Sequence, residues 1–378
     1  MKPLLVVALA ACLLSGAHAA SSLPFEVTPV ARFDEPWTVV FLPDGRMLVT
    51  EKKGNLFVVT PDGEKSRPVS GLPDVAYGGQ GGLGDVVLHP GFADNGVLYV
   101  SYAESGEGGT RGAAVLRAVF EETERGGRLV DAEVLWRQYP KVVGYGHYGH
   151  RLLFDGDGHL WISSGDRQKF TPAQDMQSNM GKMIRLQDDG SVVEDNPFVN
   201  YRDTDPFVDD EAIYDQIWSL GHRNPLGIAL DAEGRLWEIE MGPAGGDELN
   251  LIHRGENYGY PVVSNGDHYD GRKIPDHDTR PEFEAPKVTW NPVISPADLM
   301  IYRGDRFAAW QGDAFAAGLS SRAIVRVALD GESAREAERY DMGARIRSLE
   351  EGPDGAIWVL EDDRGDSQGR LLKLTPKE

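Results

Sequence analysis

Apolar residues in this chain come in short alternating runs broken by glycine turns, and one such phrase recurs from end to end. FLPDGRMLVTEKKGNLFVV (41–59), LLFDGDGHLWISSGD (152–166), IALDAEGRLWEIEMG (228–242) and SLEEGPDGAIWVLEDD (348–363) share it. Each has an apolar lead-in, an Asp/Glu–Gly turn, then alternating apolar residues with Leu or Ile beside Trp, Phe or Met. HPGFADNGVLYVSYAE (89–104) is a looser copy. Period-two alternation around Asp-Gly or Asn-Gly marks a β-hairpin, because those residues tolerate positive φ. Long amphipathic helical patterns are scarce, and 45 glycines and 23 prolines punctuate the chain. Repeated antiparallel hairpins predict an all-β sandwich, barrel or propeller. Repetition over the whole length favours the propeller, and at roughly 40–60 residues per blade it gives six four-stranded blades. The uneven spacing leaves room for long loops at 167–216 and 254–296, and loops on a rigid scaffold are where function collects. No linker marks a second domain, so residues 21–378 read as a single β-propeller domain.

The chain opens MKPLLVVALAACLLSGAHAA, a charged start, an apolar middle and a small-x-small end. That is the pattern of a secretory signal peptide over residues 1–20. Leu9-Ala10-Ala11-Cys12 would also pass for a lipoprotein processing site, but the apolar run continues past it and a better cleavage site follows. The expected location is periplasmic or secreted. No later segment approaches the apolar length of a membrane span. Cys12 is the only cysteine, so the mature chain has no disulfides. With 60 acidic against 38 basic residues the net charge is −22, and no Lys/Arg run offers a patch for a phosphate backbone. These features exclude nucleic acid as the expected partner. They suit an exported protein, monomer or homodimer, acting on small neutral molecules.

Several stretches carry candidate chemistry. GYGHYGHRL (144–152) puts His147 and His150 three apart among glycines, readable as a base, a metal site or a turn. GGQGGLGDVVLHPGF (78–92) lacks the Gly-Lys-Ser/Thr of a phosphate loop. It is a connecting turn, or a close-approaching backbone that aims Gln80 at a ligand. DGDGHLW (155–161) alternates aspartates but lacks the spacing of a calcium loop, so it reads as a hairpin turn. SLGHRNPLG (219–227) sets Arg223 and Asn224 before a proline, a fixed fork of donors for an anionic or carbonyl-bearing ligand, or a structural arginine. MGPAGGDELNLIHRGENYGYP (241–261) offers carbonyls at Gly242 and Pro243, then Asp247 and Glu248, then Asn257 and Tyr258. It reads as a calcium site or as a solvated acidic loop. GARIRS (343–348) places Arg345 and Arg347 on one strand face, where an anion or carboxylates must answer them.

In combination and order, these segments resemble the soluble pyrroloquinoline-quinone-dependent sugar dehydrogenases. The likeness runs from about Pro36 to Leu374 and is nearest to the aldose sugar dehydrogenase branch. It implies a six-bladed β-propeller with the quinone and a calcium ion at one end of the channel. By motif, Gln80 would touch the cofactor, His147 would be the catalytic base, and His150 only a neighbour. Arg223 and Asn224 would lie at quinone and substrate, and Arg223 would share in catalysis. Gly242 and Pro243 would give carbonyls to the cofactor's calcium, and Arg345 and Arg347 would neutralise cofactor carboxylates. Glu248 and the Tyr258 carbonyl would hold a further calcium, and Tyr269 would flank the cofactor. One departure stands out: where the family has a cofactor-binding lysine, this chain reads Leu319-Ser320-Ser321.

The chemistry implied is oxidation of an aldose at C1 to a lactone, with electrons passed to an external acceptor. A neutral imidazole, of ordinary pKa about 6.5, suits the proton. No side chain accepts a hydride, so a cofactor must. Two rivals remain. A calcium-dependent propeller lactonase would need no quinone, although a neutral lactone gives paired arginines nothing to clamp. A non-catalytic binding propeller would use the same loops to hold a partner.

Overall fold

The computed structural model describes residues 23–199, 201 and 211–377. The expected signal segment and Cys12 lie outside the described residues, as does part of the 167–216 insertion. Six antiparallel sheets follow one another around a ring. Blade 1 begins with Pro36–Phe41, blade 2 with Leu83–Leu88 and blade 3 with Gly149–Phe154. Blade 4 begins with Pro225–Leu230, blade 5 with Pro296–Ile301 and blade 6 with Ile346–Glu351. These six first strands pack against one another in chain order, and the last packs against the first, to line a central channel. Phe25–Arg32, the first strand in sequence, pairs with Arg370–Pro376 and becomes the outer strand of blade 6. Ring closure thus uses main-chain hydrogen bonds between the two ends of the chain.

Two copies of the recurring phrase, those of blades 3 and 4, share one local device. Asp155 Oδ1 accepts the backbone N–H groups of Asp157 and His159 at 3.0 and 2.9 Å, and its Oδ2 accepts the Trp161 indole N–H at 2.8 Å. Asp231 repeats this with Glu233 and Arg235 at 3.0 and 2.9 Å and with the Trp237 indole at 2.9 Å. The aspartate thereby closes the turn and fixes the tryptophan that packs between blades. DGDGHLW is a hairpin turn, as its spacing implies. Trp237 and Trp358 are fully buried, worth about 1.5–3 kcal/mol each in apolar burial.

Five sheets have four strands, and blade 1 has three, over Pro36–Phe41, Met47–Glu51 and Asn55–Val59. Its outer edge is covered by an irregular segment whose Ser66 and Val69 N–H groups bond to Val58 and Leu56 carbonyls at 2.9 and 2.7 Å. Pro68 within that segment has no N–H and breaks a regular ladder.

Across the channel, Arg151 ties the blades together. Its guanidinium lies 4.0 Å from the Trp37 ring and donates to the Leu226 and Ala297 carbonyls at 2.7 and 2.6 Å. It pairs with Asp85 and Asp298 at 3.5 and 3.4 Å. Asp298 in turn accepts Ser348 Oγ and the Leu349 N–H, so one buried network reaches all six first strands. Among the described residues no helix is long and apolar enough to cross a membrane.

Candidate active site

Each blade's first strand is entered from the same end of the ring, so the loops before those strands meet at one face. Gln80 precedes blade 2, His147 blade 3, Arg223 and Asn224 blade 4, and Arg345 blade 6. A cavity of about 480 Å³ opens there, lined by Gln80, His150, Met241, Arg345, Arg347 and Asp362, among others. That volume suits a small-molecule ligand.

The glycines around His147 allow close backbone contact. A Cβ at Gly149 would lie 2.8 Å from the Gly165 nitrogen, and one at Gly165 would lie 2.3 Å from the His147 carbonyl oxygen. His147 itself has φ +52°. Its N–H donates to Gln80 Oε1 at 2.6 Å, and its Nδ1 lies 2.7 Å from Asp166 Oδ1. Asp166 is fully buried and also accepts the N–H groups of Gln168 and Phe170, at 2.9 and 3.1 Å. An ionised carboxylate only accepts, so Nδ1 carries the proton and Nε2 is left with its lone pair. Burial lowers the His147 pKa below its ordinary value, opposed by the bond to Asp166. His150 differs. Its Nδ1 faces Ser101 Oγ at 2.9 Å, its ring stacks on Trp37, and burial pushes its pKa down to about 3. It is a neutral packing group.

Arg223 and Asn224 are held by Glu240, whose Oε2 accepts both backbone N–H groups at 2.5 and 3.0 Å. The Arg223 guanidinium donates to the Met241 carbonyl at 2.8 Å and lies 5.7 and 5.8 Å from the Tyr260 and Tyr269 rings. Tyr269 is 78% exposed, the most open large apolar side chain at this face. The Asn224 side chain is fully buried, yet neither its nitrogen nor its oxygen has a partner. Gly242 donates to Asp247 Oδ1 at 2.9 Å, while Asp247 Oδ2 accepts Ile294 and Ser295, which pins the loop carrying Gly242 and Pro243.

Glu248 belongs to a buried acidic face. Glu240 pairs across the sheet with Glu248, and Glu238 with Asn250, putting three carboxylates on one side of blade 4. His222 Nδ1 lies 3.6 Å from Glu240 and 4.0 Å from Glu238, and His277 Nε2 lies 3.6 Å from Glu248. Tyr258 stacks on His222 at 4.7 Å. Among the described residues none of the three carboxylates is paired to Lys or Arg. His222 Nδ1, Glu238 Oε1 and Asn250 Oδ1 are buried without partners. Burial, reinforced by Glu240, drives the Glu238 pKa well up. Three buried carboxylates with open lone pairs fit a hard cation.

Arg345 Nε donates to Asp362 Oδ2 at 2.8 Å, and Arg347 approaches the same oxygen at 3.4 Å. One carboxylate thus answers two guanidinium groups, and Arg347 Nε is unpartnered. Leu319, beside the missing lysine, lines the cavity, but so does Lys52 from blade 1, bonded to Glu35 and the Gly79 carbonyl at 3.1 and 2.9 Å.

Sequence reasoning missed Asp166, Glu240, Asp362 and Lys52. A signal for the first three was present: the recurring phrase ends in an acid at TE, SSGD, EIE and EDD. Glu51, Asp166, Glu240 and Asp362 each bond a residue 17 or 19 positions earlier, in the loop that enters the same blade.

Known proteins bear on this geometry. A glucose/sorbosone dehydrogenase family model matches residues 33–373. The aldose sugar dehydrogenase YliI of Escherichia coli K12 is 37% identical over 354 residues, spanning 92% of this chain and 91% of that protein. The crystal structure of the soluble Escherichia coli aldose sugar dehydrogenase in its apo-form matches with a TM-score of 0.84 at 36% identity, covering 93% of this chain and 100% of that one. The PQQ-bound form of an aldose sugar dehydrogenase from Streptomyces coelicolor matches at 0.75 and 26% identity, covering 93% and 98%. A six-bladed ring with a histidine–aspartate pair beside a cationic cavity, joined to these matches, shows that the chain belongs to the glucose/sorbosone dehydrogenase family of sugar oxidoreductases.

Proposed function

We propose that this protein oxidises aldoses at C1 to lactones, using pyrroloquinoline quinone with calcium and His147 as general base. The observation that carries the reading is the His147–Asp166 pair, which leaves Nε2 as a proton acceptor on a residue bonded through its N–H to Gln80 of the cavity wall. The residues present fit the cofactor. Arg345 and Arg347, sharing one carboxylate, would hold its acid groups; Gln80, Asn224 and Tyr269 would contact it; Gly242 and Pro243 would offer carbonyls to its calcium. Glu248, with the Tyr258 carbonyl, would bind a second cation at the buried acidic face. When bound, the quinone supplies the electrophile that takes the C1 hydride, and calcium polarises its carbonyl.

The chain's own residues handle the proton and the charge. His147 Nε2 takes the O1–H proton as the C1–H bond breaks, and the C1–O1 bond becomes the lactone carbonyl. The bonding pair of C1–H leaves with the hydride, so proton, hydride and product balance. Arg223 stabilises the negative charge that the transferred pair creates. The two electrons pass on to an external acceptor, in keeping with export through the 1–20 leader.

Dye reduction with a panel of aldoses, with calcium and with or without added quinone, tests this. Quinone-dependent turnover that drops about 10²–10⁴-fold in His147→Ala is the expected result. Absence of both turnover and quinone binding would sink it and turn attention to lactone hydrolysis.

A further inference from the structure

Phe170 occupies a backbone conformation that needs a reason. Its φ and ψ are 65° and −83°, and the Thr171 N–H bonds to the Lys169 carbonyl at 2.9 Å. That is a γ-turn of positive φ, rare and strained for any residue with a side chain. Arg167 and Gln168 just before it also have positive φ, at 55° and 60°. Asp166 enforces the segment, its Oδ2 accepting the Phe170 N–H and its Oδ1 the Gln168 N–H. The carboxylate that orients His147 therefore also holds the turn that presents Phe170.

Nothing in the core explains the strain, because the ring is 42% exposed. It stands edge-on to His268 at 5.5 Å and tilted to Tyr260 at 6.4 Å. Tyr260 in turn faces Arg223, as does Tyr269, the neighbour of His268. An aromatic rim thus borders the reacting groups on the side of Arg223. Strained, exposed side chains that the surrounding structure over-determines gather where a ligand is met.

We propose that Phe170 is a specificity residue, presented to stack on the apolar C–H face of the aldose ring so that O1 meets His147. The proposal rests on the sugar-oxidising reading. A flat aromatic face matches the C–H face of a pyranose and discriminates among sugars by where their hydroxyls point.

Phe170→Ala, Phe170→Tyr and Phe170→Gly test it in the quinone-loaded enzyme. Phe170→Ala should raise KM for the preferred aldose about 3- to 10-fold, the factor set by one aromatic contact, with a smaller effect on kcat. Phe170→Tyr, which keeps the face, should restore KM. The quinone titration should be unmoved in all three, and Phe170→Gly should melt no lower than Phe170→Ala, since glycine takes positive φ without strain. Unchanged KM in Phe170→Ala, no rescue by Phe170→Tyr, or a Phe170→Gly that melts below Phe170→Ala would each overturn the proposal. Wild-type enzyme that oxidises no aldose would overturn the sugar reading itself, and the proposal with it.

Discussion

Replacing Asp166 with asparagine is the sharpest probe of the site, because it keeps size and shape while removing an acceptor. Asp166 takes three hydrogen bonds: His147 Nδ1 and the Gln168 N–H on Oδ1, and the Phe170 N–H on Oδ2. An asparagine can place its oxygen at only one of those positions. With oxygen towards His147, its NH₂ meets the Phe170 N–H, donor against donor, and the strained turn loses its anchor. With NH₂ towards His147, Nδ1 must accept, which forces the proton onto Nε2 and abolishes the base. The first arrangement forfeits the hydrogen bond that anchors the Phe170 turn, about 1.5–3 kcal/mol, and should appear in KM for the aldose. The second removes most of what a general base supplies, about 10²–10⁴-fold. Asp166→Asn should therefore lose kcat by up to that factor in the second arrangement, and raise KM for the aldose with little loss of kcat in the first. Dye reduction at saturating quinone and calcium reads kcat, and fluorescence titration of the quinone checks that the cofactor still binds. A variant with intact cofactor affinity and with both kcat and KM within about 3-fold of wild type would refute the role of Asp166, since that is under about 1 kcal/mol.

Three further outcomes follow from the same geometry. Burial lowers the His147 pKa, and the base must be neutral, so activity is lost as pH falls through that value. The acid limb of kcat/KM should lie below the ordinary histidine value of about 6.5, and a limb above it would contradict the buried geometry. Calcium at about 100 times its dissociation constant should stabilise the quinone-free protein by about 2.7 kcal/mol, read as a rise in Tm that chelator reverses and Glu248→Gln abolishes. An equal rise in the variant would place the cation elsewhere. Arg151→Met should destabilise by about 3–5 kcal/mol in denaturant unfolding, because Asp85 and Asp298 would be left buried without their cation. A change under about 1 kcal/mol would show that the channel network holds the blades far less than its contacts imply.

Much of the ring was legible because its information is local. The turn aspartate, the glycine and the tryptophan six residues on sit within one hairpin, and a period-two reading captures all three. What escaped is what the ring assembles from distant parts. The N-terminal strand's place in blade 6 depends on pairing across nearly the whole chain, and no local pattern announces it. Lys52 reaches the cavity from blade 1, and a lysine in the turn EKKG reads simply as a solvated charge. The acidic face of blade 4 escaped for a different reason. Glu238 and Glu240 alternate with Trp237 and Ile239, so their pattern is that of a strand with one polar, solvated face. In the folded ring that face is covered by His222, Tyr258 and His277, and the polar side becomes the buried one.

The carboxylates that close the recurring phrase connect the fold to the site. At the end of the second strand in blades 1, 3, 4 and 6, an acid reaches across to the loop entering its own blade, 17 or 19 residues back. In blade 1 this brace, from Glu51 to the Asp34 N–H, only fastens a turn. In blade 4 the same brace positions Arg223 and Asn224, in blade 6 it positions Arg345, and in blade 3 it sets the tautomer of His147. The site therefore needs no special architecture of its own. A structural contact that holds the incoming loop in four of the blades acquires chemistry when the residue at its far end is a histidine or an arginine. The cluster of positive-φ residues in blade 3 fits this view, since there one carboxylate holds both the base and the turn presenting Phe170. Substituting Asp166 should thus disturb proton transfer and sugar binding together, whereas substituting Phe170 should disturb sugar binding alone.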